Sequence, residues 1–447
     1  MKPAVLALTM LLLSCGEDTP STEAPPSPSA GAAGPAAPAQ TTPSASGSST
    51  PVVPAPAPGP VPTAGWSAAT MDTLAPMAPT RVGRSPAPLP SSAAIETTIT
   101  RLEGVVKKHG ADPLNPWAIG HGLIAMGPDF ELSNGQPAVD WLFSEYAVEL
   151  TAEGVTTVQF PRKKGEIRVE PHKQLMLKAM TEAGVRPDRA VTVQGRPHTV
   201  ADLYRGAVLA SWLVPATNHS SFSSPNDMPW AVQALSAWAP PGAFTWTAID
   251  GTPMTLDDLA TFTTSVLVAE SQTLFQAMEA GAQMQKRKQG VFAYTCGGSH
   301  LLQGSAYAVA RGRSTDLAHK AIQGQIPLLY WRLPQELRVY DEASSRAPQH
   351  AQVLLVQRLK FLGHWLETAH KLAILGFYAP TAEQKKQMSG AAQQLALTVE
   401  ALEQQGVYGA MDRLRTEEPQ LYLDVIGDSA HALHALRIAR GEHGIAW

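Results

Sequence analysis

Two stretches of this chain, 56 residues apart, carry the same pattern. "VTVQGRPHTVADL" (Val191 to Leu203) and "WTAIDGTPMTLDDL" (Trp246 to Leu259) each run from a short β-like segment through a Gly-x-Pro turn into Thr-x-x-Asp. Thr199 with Asp202, and Thr255 with Asp258, fit a helix N-cap followed by an acidic residue at the third helical position. A looser copy, "NGQPAVDWL", begins at Asn134, and weaker echoes are "GRSTDL" at Gly312 and "APTAEQ" at Ala379. The glycines Gly135, Gly195, Gly251, Gly312 and Gly376 follow one another at intervals of 60, 56, 61 and 64 residues. A recurrence of this length marks an array of like units, each unable to bury its own apolar face without its neighbours.

A second series lies between these starts. Gly120-His121-Gly122-Leu123, Ser299-His300-Leu301-Leu302, Gly363-His364-Trp365-Leu366 and Ala430-His431-Ala432-Leu433 each place a small residue before His-x-Leu. Each then runs to a glycine suited to end a helix: Gly127, Gly312, Gly376 and Gly441. Helices near Pro171–Ala183 and Pro229–Ala239 fill the gaps without that signature. With a first capped helix from about Ala93 to Lys108, the count is six helices of one kind alternating with six of another. The segments 298–311 and 427–440 are rich in Ala, Leu and Gly nearly all round, as expected of helices buried on every side, while their partners carry more Glu, Gln and Lys. The expected fold is therefore all-α, an (α/α)6 toroid over residues 93–447. One small β-hairpin is inserted in "VTTVQFPRKKGEIRVE", with Lys164-Gly165 at its turn. A helical solenoid is the rival architecture.

"CGGSHLLQGSAYAVARG", together with the "GTPMTLDDL"-type turns, resembles the terpenoid cyclase/prenyltransferase-like toroid superfamily, in particular its exported bacterial branch. The resemblance spans roughly Trp117 to Ile438 as a repeat pattern and is specific only around Cys296. It implies a central cavity bounded by the inner helices. Prenyltransferases of that superfamily bind zinc through an Asp, a Cys two residues later and a distant His, but here Tyr294 stands where that Asp would be. The cyclases protonate an alkene from an Asp-rich motif. Asp257-Asp258, the paired Asp of this chain, is assigned to a helix cap instead.

The N-terminus speaks to location. "MKPAVLALTMLLLSCGED" has one Lys and an apolar run from Ala4 to Leu13, too short to span a bilayer as a helix. "LLSC" resembles a bacterial lipobox, which implies a signal peptide over 1–14 and lipid attachment at Cys15. Gly16 in the following position favours the outer over the inner membrane. From Cys15 to Ser92 the chain is dominated by Pro, Ala, Ser, Thr and Gly, too poor in large apolar groups to offset its conformational entropy, and is expected to be a disordered tether. A coil of that length reaches about 50 Å. A net charge of −4 with no long basic run excludes nucleic acid as a partner. With Cys15 acylated, Cys296 has no partner for an intramolecular disulfide.

The candidate site residues follow from the repeat. His121, His300, His364 and His431 occupy equivalent places near the starts of inner helices, which in a toroid face one end of the cavity. His219, in the polar loop "NHSSFSSPNDMPW", and Trp230 just after it belong to the same mouth by position. Two readings stand for each His: a cavity-lining group, or a ring that donates to a backbone carbonyl and anchors its helix. Cys296 and His300, four apart across Gly297-Gly298, can be a metal or nucleophilic pair, or Cys296 can be a small buried hydrophobe. Glu367-x-x-His370 and Asp428-x-x-His431 repeat the acidic-x-x-His spacing of di-iron bundles, on helices that belong to a repeat. No Gly-x-Ser-x-Gly, Walker or dinucleotide motif is present.

Two functions are expected on this basis. The first is an envelope module, anchored to the membrane by its lipid, whose His-lined cavity binds a small molecule, a polysaccharide or a protein, with no cofactor. The second is an enzyme on an envelope polymer, hydrolase or lyase, with His300, His431 and Asp428 as its acid and base. A metal-dependent enzyme of the prenyltransferase-like type is a further alternative, with the metal ligands left open.

Overall fold

Ser92 begins the folded chain by capping α1 (Ala93–Val105), its hydroxyl accepting from the Ile95 amide at 3.3 Å. Asn115 caps α2 (Pro116–Met126) in the same way, through the Ala118 amide at 3.1 Å. The computed structural model describes residues 88–442, apart from 153–154, 215–216, 218, 223–226, 240–243, 249–250, 288 and 314. The expected signal peptide, Cys15 and nearly all of the 15–92 linker lie outside the described residues. Leu89 already packs on the fold, its amide bonded to the Ala439 carbonyl.

After α3 (Ala138–Trp141) come two hairpins, β1 (Val148–Ala152) with β2 (Val155–Gln159) and the short β3 (Lys163–Lys164) with β4 (Ile167–Arg168), and then α4 (Leu175–Ala183). β5 (Ala190–Val193) and β6 (Arg196–Thr199) lead into α5 (Val200–Leu209). β7 (Leu213–Val214) and β8 (His219–Ser220) precede α6 (Met228–Trp238), and β9 (Thr245–Thr247) with β10 (Pro253–Thr255) precede α7 (Leu256–Glu279). The rest is helical: α8 (Ser299–Ala310), α9 (Asp316–Arg346), α10 (Ala351–Ile374), α11 (Ala382–Gln404), α12 (Met411–Glu417) and α13 (Pro419–Ala439). Among the described residues no helix is long and apolar enough to cross a membrane.

The chain is thus mostly helical but not all-α, since the described residues hold five antiparallel hairpins where one was expected. The expected hairpin exists only in part. β3 and β4 make two pairs around Gly165, while Val155–Gln159 turns back onto the upstream β1. That choice buries Val158 and Thr157 beneath α5, which a ladder to the charged β3 would have left in water. The Gly-x-Pro repeats are hairpins too. Gln194 and Gly195, at φ +50° and +79°, form the tight turn of β5–β6, the left-handed pair that a two-residue connection requires. Thr199 and Asp202 then close a capping box, Thr255 accepts from the Asp258 amide, and Thr315 and Thr381 cap α9 and α11 likewise.

The helices of the His-x-Leu series and the two that fill its gaps are the buried ones. Every residue of α4 and α6 is buried, as is α8 from His300 onward. α2 packs on α4, α4 on α6, α6 on α8, α8 on α10, α10 on α13, and α13 on α2. Close approach is made by small residues. A Cβ on Gly304 of α8 would lie 2.4 Å from the Pro229 carbonyl oxygen of α6. Several indoles serve packing, with Trp141, Trp246 and Trp365 donating to the carbonyls of Pro113, Ser211 and Leu329. Gly304→Ala should therefore cost about 1–3 kcal/mol through overpacking. Gly324→Ala, on an exposed part of α9 with nothing within 4 Å of the added methyl, should be neutral or stabilise by up to ~1 kcal/mol. Urea unfolding of the two variants beside the parent checks the contrast.

Candidate functional site

The turn before α8 determines where Cys296 points. Cys296, Gly297 and Gly298 have φ of +55°, +61° and +77°, three left-handed residues in succession, so α8 starts only at Ser299 and Cys296 lies outside the helix. Such backbone is costly for a residue with a Cβ and persists where its surroundings hold it. Arg332 of α9 does so, donating from Nη2 to the Gly297 carbonyl at 3.1 Å while paired to Glu336 at 2.6 Å. A Cβ on Gly298 would come within 2.8 Å of Val291. The turn brings the ligating atoms of Cys296, His300 and His364 within 4.8 Å of one another, although Cys296 and His300 do not share a helical face.

The four repeat histidines meet. Ring centroids are 4.1 Å apart for His364 and His431, 4.8 Å for His300 and His364, and 5.4 Å for both His300–His431 and His121–His431. Trp117 lies 4.0 Å from the His121 ring and Trp230 lies 4.3 Å from His300, with His172 stacked on Trp230 at 5.3 Å. None of the four repeat histidines is more than 5% exposed, so the rings pack on one another rather than border open water. Only His121 is tied to a carbonyl, through Nδ1 to Trp117 at 2.8 Å. Among the described residues, neither nitrogen of His364 meets hydrogen-bond geometry, with Glu367 Oε2 at 3.5 Å from its Nδ1, and His300 Nδ1 has no partner.

One carboxylate organises the cluster. Glu367 Oε2 lies 3.1 Å from His431 Nδ1 and 3.5 Å from His364 Nδ1, while Oε1 lies 2.8 Å from His434 Nδ1 and 2.7 Å from Lys371 Nζ. Lys371 also reaches Glu182 at 2.6 Å and Gln303 at 3.0 Å, and Glu182 is held by Lys178 at 2.7 Å and Gln233 at 2.6 Å. Burial works to raise the Glu367 and Glu182 carboxyls, but the Lys371 ammonium beside Glu367, and Lys178 with Lys371 beside Glu182, hold both well below their usual range. The two ammoniums balance the two carboxylates. An added proton would leave net charge in a dry interior. Burial accordingly pushes the rings down, His121 to about 4 and His300 and His431 well below the ordinary imidazole range.

The expected residues divide as follows. His121, His300, His364, His431, Trp230 and Cys296 come together. Asp428 faces Lys360, 3.6 Å away, and the carboxylate that meets His431 is Glu367. The two acidic-x-x-His motifs therefore do not form a shared di-iron set, because Asp428 and Glu367 meet different partners. His219 is paired in β8 opposite Val214, and its side chain is outside the described residues. Lys178, Glu182, Lys371, His434 and Gln303 were not anticipated. The available hint was a Lys and a Glu four apart in the apolar "LMLKAMTEA". Beside the site, a cleft between α7, α8, α9 and α10 is lined by Ser271, Gly298, Ser299, Gln325, Arg332 and Thr368 among leucines. Compared with known proteins, the chain matches no family model, no curated protein and no solved structure.

The neutral rings make a stability prediction with a definite sign. Each folded-state pKa lies below the unfolded value near 6.5, so the unfolded chain takes up protons first as pH falls. Stability should be intact above about 6.5 and decline from there toward 4, by up to ~1.4 kcal/mol per pH unit for each ring. Urea midpoints at pH 7.5, 6 and 5 check this, with a shallower loss expected for His121→Gln. A flat profile across that range would contradict it.

Proposed function

We propose that this protein is a lipid-anchored envelope protein whose six buried helices are the inner ring of an (α/α)6 toroid built around a transition-metal centre. The toroid reading is supported by the order of neighbours, which returns from α13 to α2, and by the capped helices that alternate with the buried ones. The anchor reading rests on the apolar run before Cys15 and the long Pro-rich stretch after it.

The observation that carries the metal centre is the convergence of Cys296, His300 and His364, drawn from a strained turn and two helices, to within 4.8 Å. A tetrahedral zinc ion with bonds of about 2.0–2.3 Å places such ligands roughly 3.3–3.8 Å apart, so a contraction of about an ångström suffices. Thiolate and imidazole are the ligand types that select zinc or copper over magnesium or calcium. Three protein ligands leave one coordination position open, the pattern of catalytic rather than structural zinc. Buried nitrogens without hydrogen bonds cost about 1–3 kcal/mol each, and a metal would take up one nitrogen of His364 and one of His300. His431, held by Glu367, stands beside the centre as a group able to move a proton. The site thus supports a metal-dependent enzyme. What weighs against an empty ligand cavity is the ring-on-ring packing. What weighs against His431 with Asp428 as an acid–base pair is the position of Asp428 at Lys360.

Metal counting on the full chain after zinc reconstitution tests the reading. About one equivalent per chain is expected, lost in His364→Ala and weakened at least tenfold in His300→Ala. Cobalt in its place should show a thiolate charge-transfer band that Cys296→Ser abolishes. No metal in the reconstituted parent would make the cluster a structural core. For the anchor, Cys15→Ala should move the protein from the membrane to the soluble fraction of the cell envelope, and retention in the membrane would refute lipid attachment there.

A further inference from the structure

The two oxygens of Glu367 face two different cation positions. Oε2 is turned to His431 and His364, on the side of the proposed metal. Oε1 is turned to a second point, where Glu182 Oε1, Glu367 Oε1 and Gln303 Oε1 all converge at 2.6, 2.7 and 3.0 Å from the Lys371 ammonium. His434 Nδ1 completes this second group, 2.8 Å from Glu367 Oε1, and the ligating atoms of Glu182, Glu367 and His434 lie within 4.8 Å of one another. These donors come from α4, α8, α10 and α13, and Glu182, Glu367 and Lys371 are at most 2% exposed. Two carboxylates, an imidazole and an amide oxygen form a set that a divalent first-row metal accepts. Here a lysine side chain supplies the cation instead.

We propose that Lys371 fills the second position of a two-cation centre bridged by Glu367, and that its ammonium is what limits this protein to a single metal. The same ammonium holds Glu367 ionised toward His431 and His364, so Lys371 is a positioning residue for the first site and an excluding residue for the second. When the side chain is shortened, the buried Glu182 and Glu367 are left with Lys178 as the nearer remaining cation, an arrangement that draws in a replacement charge. The inference shares Glu367 with the proposed metal centre, yet its four donors include none of Cys296, His300 or His364, and it can fail separately.

The experiment compares the full chain with its Lys371→Ala variant, both stripped by chelator and then titrated with zinc and, separately, manganese. The expected result is one further equivalent of metal in Lys371→Ala, lost again in Lys371→Ala/His434→Ala and not gained in Lys371→Arg. The variant should melt below the parent in chelator and recover several degrees more than the parent when metal is added, as a ligand bound only by the folded state requires. If Lys371→Ala does not fold, Lys371→Gln, which keeps a donor toward the carboxylates, is counted in its place. No additional metal in either variant, folded or not, overturns the inference. A parent that binds none and a variant that binds one would sink the Cys296 centre and leave this inference standing. One equivalent in both would do the reverse, and none in either would sink both.

Discussion

The contact between Glu367 and Lys371, 2.7 Å long and closed to water, sets conditions on nearly everything around it. A carboxylate taken out of water needs a partner charge, and its attraction to one partner seldom repays both desolvation costs. Lys371 therefore needs a second carboxylate, Glu182, and Glu182 in turn is steadied by Lys178 and Gln233. With Gln303 and His434 the chain of requirements runs through α4, α6, α8, α10 and α13. α2 joins through His121, whose ring packs on His431. A slip of any one helix by a turn would strand a charge in the interior, at a cost of about 3–5 kcal/mol by analogy with broken buried pairs. Leucines and alanines alone would tolerate several such arrangements. The polar centre therefore specifies helix register, while glycine contacts such as Gly304 on Pro229 allow the helices to come close enough for the pairs to form.

The same charge balance explains the state of the histidines. Two ammoniums against two carboxylates leave nothing to stabilise an imidazolium, so the rings stay neutral and keep a lone pair. Neutral imidazole is the form that binds metal. A cluster of acids without lysines would have drawn protons onto the rings and spoiled them as ligands. His364 is the clearest case, since burial holds its ring below the ordinary imidazole range although Glu367 lies 3.5 Å away.

What the sequence made legible is what local chemistry encodes. Thr199, Thr255, Thr315 and Thr381 could be read as caps because a cap is decided within four residues. The glycines after the His-x-Leu helices, at φ +94°, +76°, +82° and +82°, are equally local. The hairpins were half visible: the β-like segment before each Gly-x-Pro was evident, but a partner strand of Arg-Pro-His-Thr has no apolar alternation to announce it. The ion network was hidden for a different reason. Glu182 and Lys371 are 189 residues apart, and no spacing rule joins them. Asp428 misled because it stands three residues before His431, as Glu367 stands before His370. Which of two such acids meets a histidine depends on how each helix is rotated about its axis, and on Lys360 lying where it can hold Asp428. Cys296 and His300 were paired by their spacing, with the geometry between them left open. They meet across a left-handed turn, and only Gly297 and Gly298 hinted at that.

Protons and a metal ion are then competing answers to one problem, the unsatisfied nitrogens of His300 and His364. Below the ordinary imidazole range a proton would take such a lone pair, but it leaves a buried N–H in need of an acceptor and places charge among the rings, and so works against the fold. Above that range the proposed metal would take one nitrogen of each ring with the help of the Cys296 thiolate, whose negative charge would offset part of the ion's own. Thiolate, carboxylate and neutral imidazole all lose their lone pairs to acid, so acid would both expel a bound ion and loosen the helices around it. At the proposed envelope location such a centre would join metal occupancy to the integrity of the fold. Lys371 and Lys178 are cations that acid does not displace, and they would keep Glu182 and Glu367 in place whether or not an ion is bound.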